Sequence, residues 1–207
     1  MCGRYHFSRD TTDRMMTAIL SRMDRKYPGR FRTGELFPGD CVPGIIAWHG
    51  KIVPIPAAFG FPGFQDKKLL INARAETVAE KAAFADSFRD RRIVLPATAF
   101  YEWSHDGTKQ KYLFSVKDRP ALYLCGIYKT VDGAARFVIL TREANASMIE
   151  THHRMPVIIS EQEVRRYLTD HTAALDLIAS LPPVLERQPA PAAEKVPKSP
   201  EKDSQPE

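Results

Sequence analysis

The sequence predicts an α+β fold: a mainly antiparallel, barrel-like β core with flanking helices, in a single domain. Three observations carry this. Short runs rich in Val, Ile, Leu, Phe and Tyr recur along most of the chain. Two connections between such runs, Asp106-Gly107 and Asp132-Gly133, are hairpin signals. The 207 residues are 43% hydrophobic, enough for one ordinary core.

Residues 11–27 read as an amphipathic helix. Met15 or Met16, Ile19, Leu20, Met23 and Tyr27 recur at helical spacing, Asp10 or Thr11 can cap the start, and Pro28-Gly29 ends it. Strands are expected at Val42–Trp48, at Lys51–Phe59 after the turn His49-Gly50, and at Leu69–Arg74. Glu76–Phe88 reads as a helix. Ile93–Trp103, Lys111–Val116, Ala121–Val131 and Ala134–Thr141 read as strands. Helices are expected at Glu143–Glu150, Glu161–Leu168 and Thr172–Leu181. No internal repeat is seen. The composition changes near residue 185. Beyond it come Pro189, Pro191, Pro197, Pro200 and Pro206 among Ala, Lys, Glu and Ser. Such a segment buries too little apolar surface to offset its ordering entropy. The expectation is therefore a domain over 1–185 and a disordered Pro/Lys/Glu-rich tail over 186–207.

The composition narrows the function. No stretch approaches the roughly 18–20 apolar residues that span a bilayer. The start, Met1-Cys2-Gly3-Arg4-Tyr5-His6, has no apolar signal region, so a soluble, non-secreted protein of the cytoplasm is expected, associated with the nucleoid if the source is bacterial. The three cysteines, Cys2, Cys41 and Cys125, have no metal-site spacing and no disulfide pattern. A reducing compartment, no metal, no cofactor and a monomeric state are expected. The net charge is +5, and the body before residue 186 carries the excess. This permits a polyanionic partner without demanding one.

Four places can carry chemistry. Cys2 follows the initiator Met1, which is normally removed before a small second residue. Removal leaves an α-amine beside a thiol. The amine titrates at about 7.7–8, so a usable fraction is neutral, and the thiol is a strong nucleophile. Both can add to one aldehyde carbon and close a five-membered thiazolidine. An incidental second-position cysteine is the plain reading. In Leu70–Thr77, an extended chain puts Asn72, Arg74 and Glu76 on one face and Ile71 and Ala73 on the other. That is either a site lining or an exposed edge. In Ala99–Trp103, Glu102 shares a face with Phe100. A desolvated carboxylate there has a raised pKa suited to proton transfer, unless a lysine simply pairs with it. In Thr151–Pro156, Pro156 extends Met155. His152 and Arg154 then point one way, imidazole beside guanidinium, and His153 and Met155 the other, unless the histidines are ordinary surface residues. Arg4, Arg74 and Arg154 are candidate phosphate contacts. Phe64, after Pro62-Gly63, is a candidate base-stacking wedge or a core residue. Cys41 and Cys125 read as small core residues.

Four segments occur in order: Met-Cys-Gly-Arg-Tyr at 1–5, Ile-Asn-Ala-Arg-Ala-Glu-Thr at 71–77, Phe-Tyr-Glu-Trp at 100–103 and His-His-Arg-Met-Pro at 152–156. Together they resemble the SRAP family, the SOS-response-associated peptidases, over about residues 1–180. The resemblance implies a protein that crosslinks to abasic sites in single-stranded DNA and shields them from strand cleavage and error-prone bypass. It implies that Cys2 supplies amine and thiol, that Asn72 orients the amine or the sugar oxygen, that Glu102 shuttles protons, and that His152 assists sugar ring opening. It implies Arg4, Arg74 and Arg154 on phosphates. Some positions depart from the family pattern: Glu35–Asp40 replaces a commoner Asn-Val-Ala-Pro run, a single Phe64 replaces paired tryptophans, and His153 replaces a commoner Asp. Two other readings stay open. One is a thiol peptidase using Cys2, His152 and Glu102, with self-removal of Met1 as a limited form. The other is a non-covalent single-strand-binding module.

Overall fold

A computed structural model of the chain describes residues 2–63 and 68–191. The chain begins with β1 (Arg4–Phe7), α1 (Arg14–Lys26), β2 (Gly34–Leu36), β3 (Cys41–Trp48), β4 (Lys51–Phe59) and β5 (Phe61–Pro62). Next come β6 (Leu69–Leu70), β7 (Asn72–Arg74), α2 (Ala85–Asp90), β8 (Arg92–Ala97), β9 (Ala99–Trp103) and β10 (Lys111–Val116). The last are β11 (Leu122–Val131), β12 (Ala134–Glu143), β13 (Arg154–Pro156), β14 (Ile158–Ile159), α3 (Val164–Thr169), α4 (His171–Ala179) and β15 (Leu185–Pro189). No helix among the described residues is long and apolar enough to cross a membrane.

The α+β class holds. Strands β12, β4, β3, β8 and β11 pair in that order, and β11 pairs back to β12, closing a five-stranded ring. Four of its pairings are antiparallel and β12–β4 is parallel. Branched and aromatic side chains fill it, with Ile45, Val94, Leu95, Phe59, Phe137 and Ile139 among the buried residues. Where β11 and β12 lie close, position 126 must be small: a Cβ on Gly126 would sit 2.7 Å from the Val138 carbonyl oxygen. The expected turns form at His49-Gly50 and Asp132-Gly133, all four residues at positive φ, as a two-residue hairpin of right-handed twist requires.

A second sheet runs β15-β10-β9-β1-β2. It arises because the strand expected over 93–103 breaks at Thr98. The Thr98 N–H and hydroxyl both donate to the His6 carbonyl (2.7 and 3.1 Å), so β8 stays in the ring and β9 leaves to pair with β1. β1 is thereby an interior strand of its sheet, between β9 and β2, and residue 2 lies two positions before it.

Other expectations are corrected. α1 starts at 14, not 11, because Asp13 is the cap. Its carboxylate accepts from the Met16 N–H and from the Tyr123 hydroxyl, each at 2.8 Å. The helix expected over 76–88 is a 3-10 turn at Ala75–Thr77 and the short α2. The helix expected at 143–150 does not form. β12 runs through Glu143, and Asn145 then takes the local backbone: its Oδ1 accepts from Ser147 N and Oγ, and its Nδ2 donates to the Pro183 carbonyl. The proline-rich segment does not begin as a free tail at 186: β15 pairs with β10 from Leu185↔Val116 to Pro189↔Tyr112. Residues 192–207 lie outside the described residues.

One buried cation ties helices to the ring. Arg92, at the start of β8, donates to the Phe88 and Arg89 carbonyls at the end of α2 and to the Tyr167 and Leu168 carbonyls in α3. A guanidinium is well placed at helix C-termini, where unpaired carbonyls gather. Replacing it by Met strands these carbonyls. The expected loss for Arg92→Met is about 3 kcal/mol, or a fall in Tm of about 10 °C. An unchanged thermal unfolding midpoint would contradict this.

Candidate active site

The site is built on the main chain of Cys2. Asn72, on β7, donates from Nδ2 to the Cys2 carbonyl at 3.0 Å. β7 reaches this place because it runs parallel to β12, with Asn72 opposite Ile139 and Arg74 opposite Thr141. β13 pairs with the last residues of β12 in the antiparallel sense, Thr141 opposite Pro156 and Glu143 opposite Arg154. This brings His152, two residues before Arg154, to the same end of the strand. β9 delivers Glu102 from the second sheet. It lies one residue beyond Tyr101, which is opposite Arg4.

All four side chains are buried: Cys2 fully, Glu102, His152 and Asn72 to within 4–8% exposure. Desolvation is therefore the largest influence on the three that titrate. Burial pushes the Cys2 thiol well above the ordinary cysteine range, and the charge of Glu102 pushes it further. Burial raises the Glu102 carboxyl, while the Trp103 backbone and the charge of His105 oppose the rise. His152 moves the other way, from 6.5 down to about 4, by burial and then by the charges of His153 and His105. Its Nδ1 accepts the Arg154 backbone N–H at 2.9 Å. A neutral imidazole bonded in this way carries its proton on Nε2. His152 is thus a fixed hydrogen-bond donor.

Of the arginines chosen from sequence, one stands free. Arg74 is exposed and makes no ion pair among the described residues. It borders a surface hollow of about 360 Å³ with Glu143, Ile149, His153 and Arg154. The shared face of Asn72 and Arg74 does not extend to Glu76, which turns away in the 3-10 segment. Glu76 grips Arg154 with two bonds, at 2.7 and 2.8 Å, and Arg154 also donates to the Thr141 carbonyl. Arg154, read from sequence as a phosphate contact, thus holds β13 and the 3-10 segment together through its guanidinium. Arg4 is partly committed. It pairs with Glu35 at 3.3 Å and lies over the rings of Phe37 and Trp103, at 4.5 and 4.8 Å. Phe64 lies outside the described residues.

Sequence reasoning missed two groups. Lys111 is buried against the Tyr101 ring and bonds both oxygens of Glu35, at 2.9 and 2.8 Å. His105 sets its ring edge-on to His152, centroids 4.8 Å apart. A histidine three residues after a strand-end glutamate was the only available signal, and it reads equally well as hairpin surface. Among the described residues no group of three or more His, Cys, Asp and Glu side chains could hold a metal ion.

The fold defines a class of α+β proteins with a closed mixed barrel and a second sheet beside it. The chain belongs to the family described as SOS response associated peptidase (SRAP), which matches over residues 1–198. It is 35% identical over 130 residues to the abasic site processing protein YoaM of Bacillus subtilis, covering 58% of this chain and 57% of that one. It is 27% identical over 180 residues to the abasic site processing protein YedK of Escherichia coli, covering 81% and 79%. A solved structure from Bordetella bronchiseptica matches with a TM-score of 0.73 at 19% identity, covering 92% of this chain and 100% of that one, and so shares the fold.

The protonation pattern is directly measurable. His152 is expected to remain neutral with its proton on Nε2 down to about pH 4. Because the unfolded chain binds that proton first, stability falls as pH drops through the window from 6.5 toward 4. Imidazole 15N shifts across pH 4–8 report both tautomer and charge. Titration of His152 near 6.5, or a proton on Nδ1, would contradict the geometry.

Proposed function

We propose that the chain captures abasic sites in single-stranded DNA covalently, through Cys2 as a mature N-terminal residue. The observation that carries the reading is the Asn72 bond to the Cys2 carbonyl. It holds the main chain of residue 2, and hence the α-amine, rather than the sulfur. The names of the abasic site processing relatives point to the same lesion.

The chemistry follows from the groups present. His152 donates from Nε2 to the sugar ring oxygen as the ring opens to the aldehyde. The neutral α-amine attacks the aldehyde carbon and forms a carbinolamine. Glu102, whose carboxyl burial pushes up from the ordinary carboxylate range, gives a proton to the departing hydroxyl, and water leaves as the imine forms. The thiol then adds across C=N: the S–C bond forms, and the thiol proton ends on nitrogen, by way of the Glu102 carboxylate. Aldehyde and aminothiol become thiazolidine and one water. Asn72 Oδ1 is buried and has no hydrogen-bond partner among the described residues, which makes it an acceptor for the amine or the sugar hydroxyl.

A thiol peptidase fits less well. Such an enzyme needs a thiolate beside an imidazolium. Here the thiol is pushed up and the imidazole down. Thiazolidine closure tolerates a neutral thiol until the imine has formed. A free thiol also needs a reducing compartment, as a DNA-bound role inside the cell supplies.

Two variants separate chemistry from binding. Cys2→Ala is expected to lose the denaturant-resistant adduct with abasic single-stranded DNA while keeping measurable affinity. A denaturing gel beside a gel shift reads both, and a persistent adduct would move the nucleophile elsewhere. Arg74→Ala is expected to weaken binding uniformly across sequences and to lower the log–log salt slope by about 0.7, the contribution of one phosphate on a single strand. An unchanged slope would remove Arg74 from the DNA-contacting set.

A further inference from the structure

We propose that His105 is the group through which this site exchanges its proton with solvent, and that it positions His152 while doing so. The proposal rests on the covalent-capture reading and adds a residue to it.

The proton balance requires such a group. Near neutral pH most of the α-amine is protonated, since it titrates at about 7.7–8. An N,S-acetal nitrogen is a weaker base than that amine. Converting ammonium, thiol and aldehyde to a neutral thiazolidine therefore releases one water and one proton. The groups at the reacting atoms cannot deliver that proton to water themselves. Glu102 is 4% exposed and His152 6%. His152 is also closed as a base: its Nδ1 already accepts the Arg154 N–H.

His105 meets the requirement. It is exposed, and its ring meets His152 edge-on at 4.8 Å. It lies three residues beyond Glu102, and its charge acts on both Glu102 and His152. The loop that carries it is fixed on both sides. Ser104 N–H donates to the Gln110 carbonyl at 2.9 Å, and Ser104 and Thr108 share a hydroxyl bond of 2.8 Å. Asp106 accepts from the Thr108 N–H and hydroxyl, at 3.0 and 2.6 Å. His105 therefore sits in a built loop, beside a hollow of about 380 Å³ that Trp103, Ser104, Gly107 and Lys109 also line.

The charged and titratable groups around it come from three elements. Glu102 lies three residues before it on β9, His152 meets its ring from the segment before β13 with His153 stacked on His152, and Asp106 and Lys109 flank it on its own loop. Two touching imidazoles do not both ionise readily. Imidazole is the side chain suited to proton exchange between about pH 5 and 8. The path runs from the reacting nitrogen to Glu102, then to His105, then to water.

The test is the rate of adduct formation with an abasic single-stranded oligonucleotide from pH 5.5 to 8.5, for wild type, His105→Gln and His105→Ala. Both variants are expected to crosslink about tenfold or more slowly near neutrality, within the range of lost acid–base assistance. The pH dependence should flatten, and non-covalent affinity and Tm should hold. Added imidazole is expected to restore rate to His105→Ala. Variant rates and pH profiles equal to wild type would overturn the assignment while leaving covalent capture standing. A loss with an unchanged pH profile and no imidazole rescue would also overturn it, showing a packing role alone. No adduct from wild-type protein would overturn both the assignment and the reading beneath it.

Discussion

Strand β12 is the constraint on which the site depends. Along one edge it pairs first with β11 and then with β13. Along the other it pairs first with β4 and then with β7. Its first part closes the barrel and its last part holds two short strands that have no other reason to meet. Arg74 and Pro156, 82 positions apart in the chain, lie on either side of Thr141 because each register is fixed on β12. Glu76 then locks β13 to the segment after β7 through Arg154. The second sheet supplies the remaining half, with β1 between β9 and β2.

Burial decides what these groups can do. Exposed, a cysteine, a glutamate and a histidine would give a thiol, a carboxylate and a partly charged imidazole. Desolvation favours the neutral form of each, and here it is the largest cause in all three. The outcome is a neutral thiol and a neutral imidazole, with a carboxyl pushed toward its neutral form, next to a backbone-anchored residue 2. That state suits addition to a carbonyl, where an amine must be free and protons must pass in both directions. It does not suit a standing thiolate. Charge lies on the exposed Arg74 and on Arg4 over its aromatic rings, and Glu35 neutralises the buried Lys111.

Much of this was legible in the sequence because the relevant signals are local. Asp132-Gly133 and His49-Gly50 specify their turns by φ alone, and the strands they join follow. Cys2, Asn72, Glu102 and His152 were visible as polar residues interrupting apolar runs, or by position. What could not be read was set by distant partners. Thr98 breaks a strand because the His6 carbonyl reaches it. Asn145 stops a helix because Pro183 returns beside it. The segment after 185 has a disordered composition, yet its first residues find an open edge at β10. Arg154 looked like a free cation until Glu76, 78 residues away, took it. His105 had only its nearness to Glu102 in sequence, and its contact with His152 exists only in the folded chain.

The central claim is that chemistry resides in residue 2 as a free N-terminus. Intact mass spectrometry after incubation with an abasic single-stranded oligonucleotide, under denaturing conditions, tests it most directly. The account expects one species with the mass of the chain lacking Met1 plus the oligonucleotide less one water. Unreacted masses alone, or an adduct on protein that retains Met1, would contradict it.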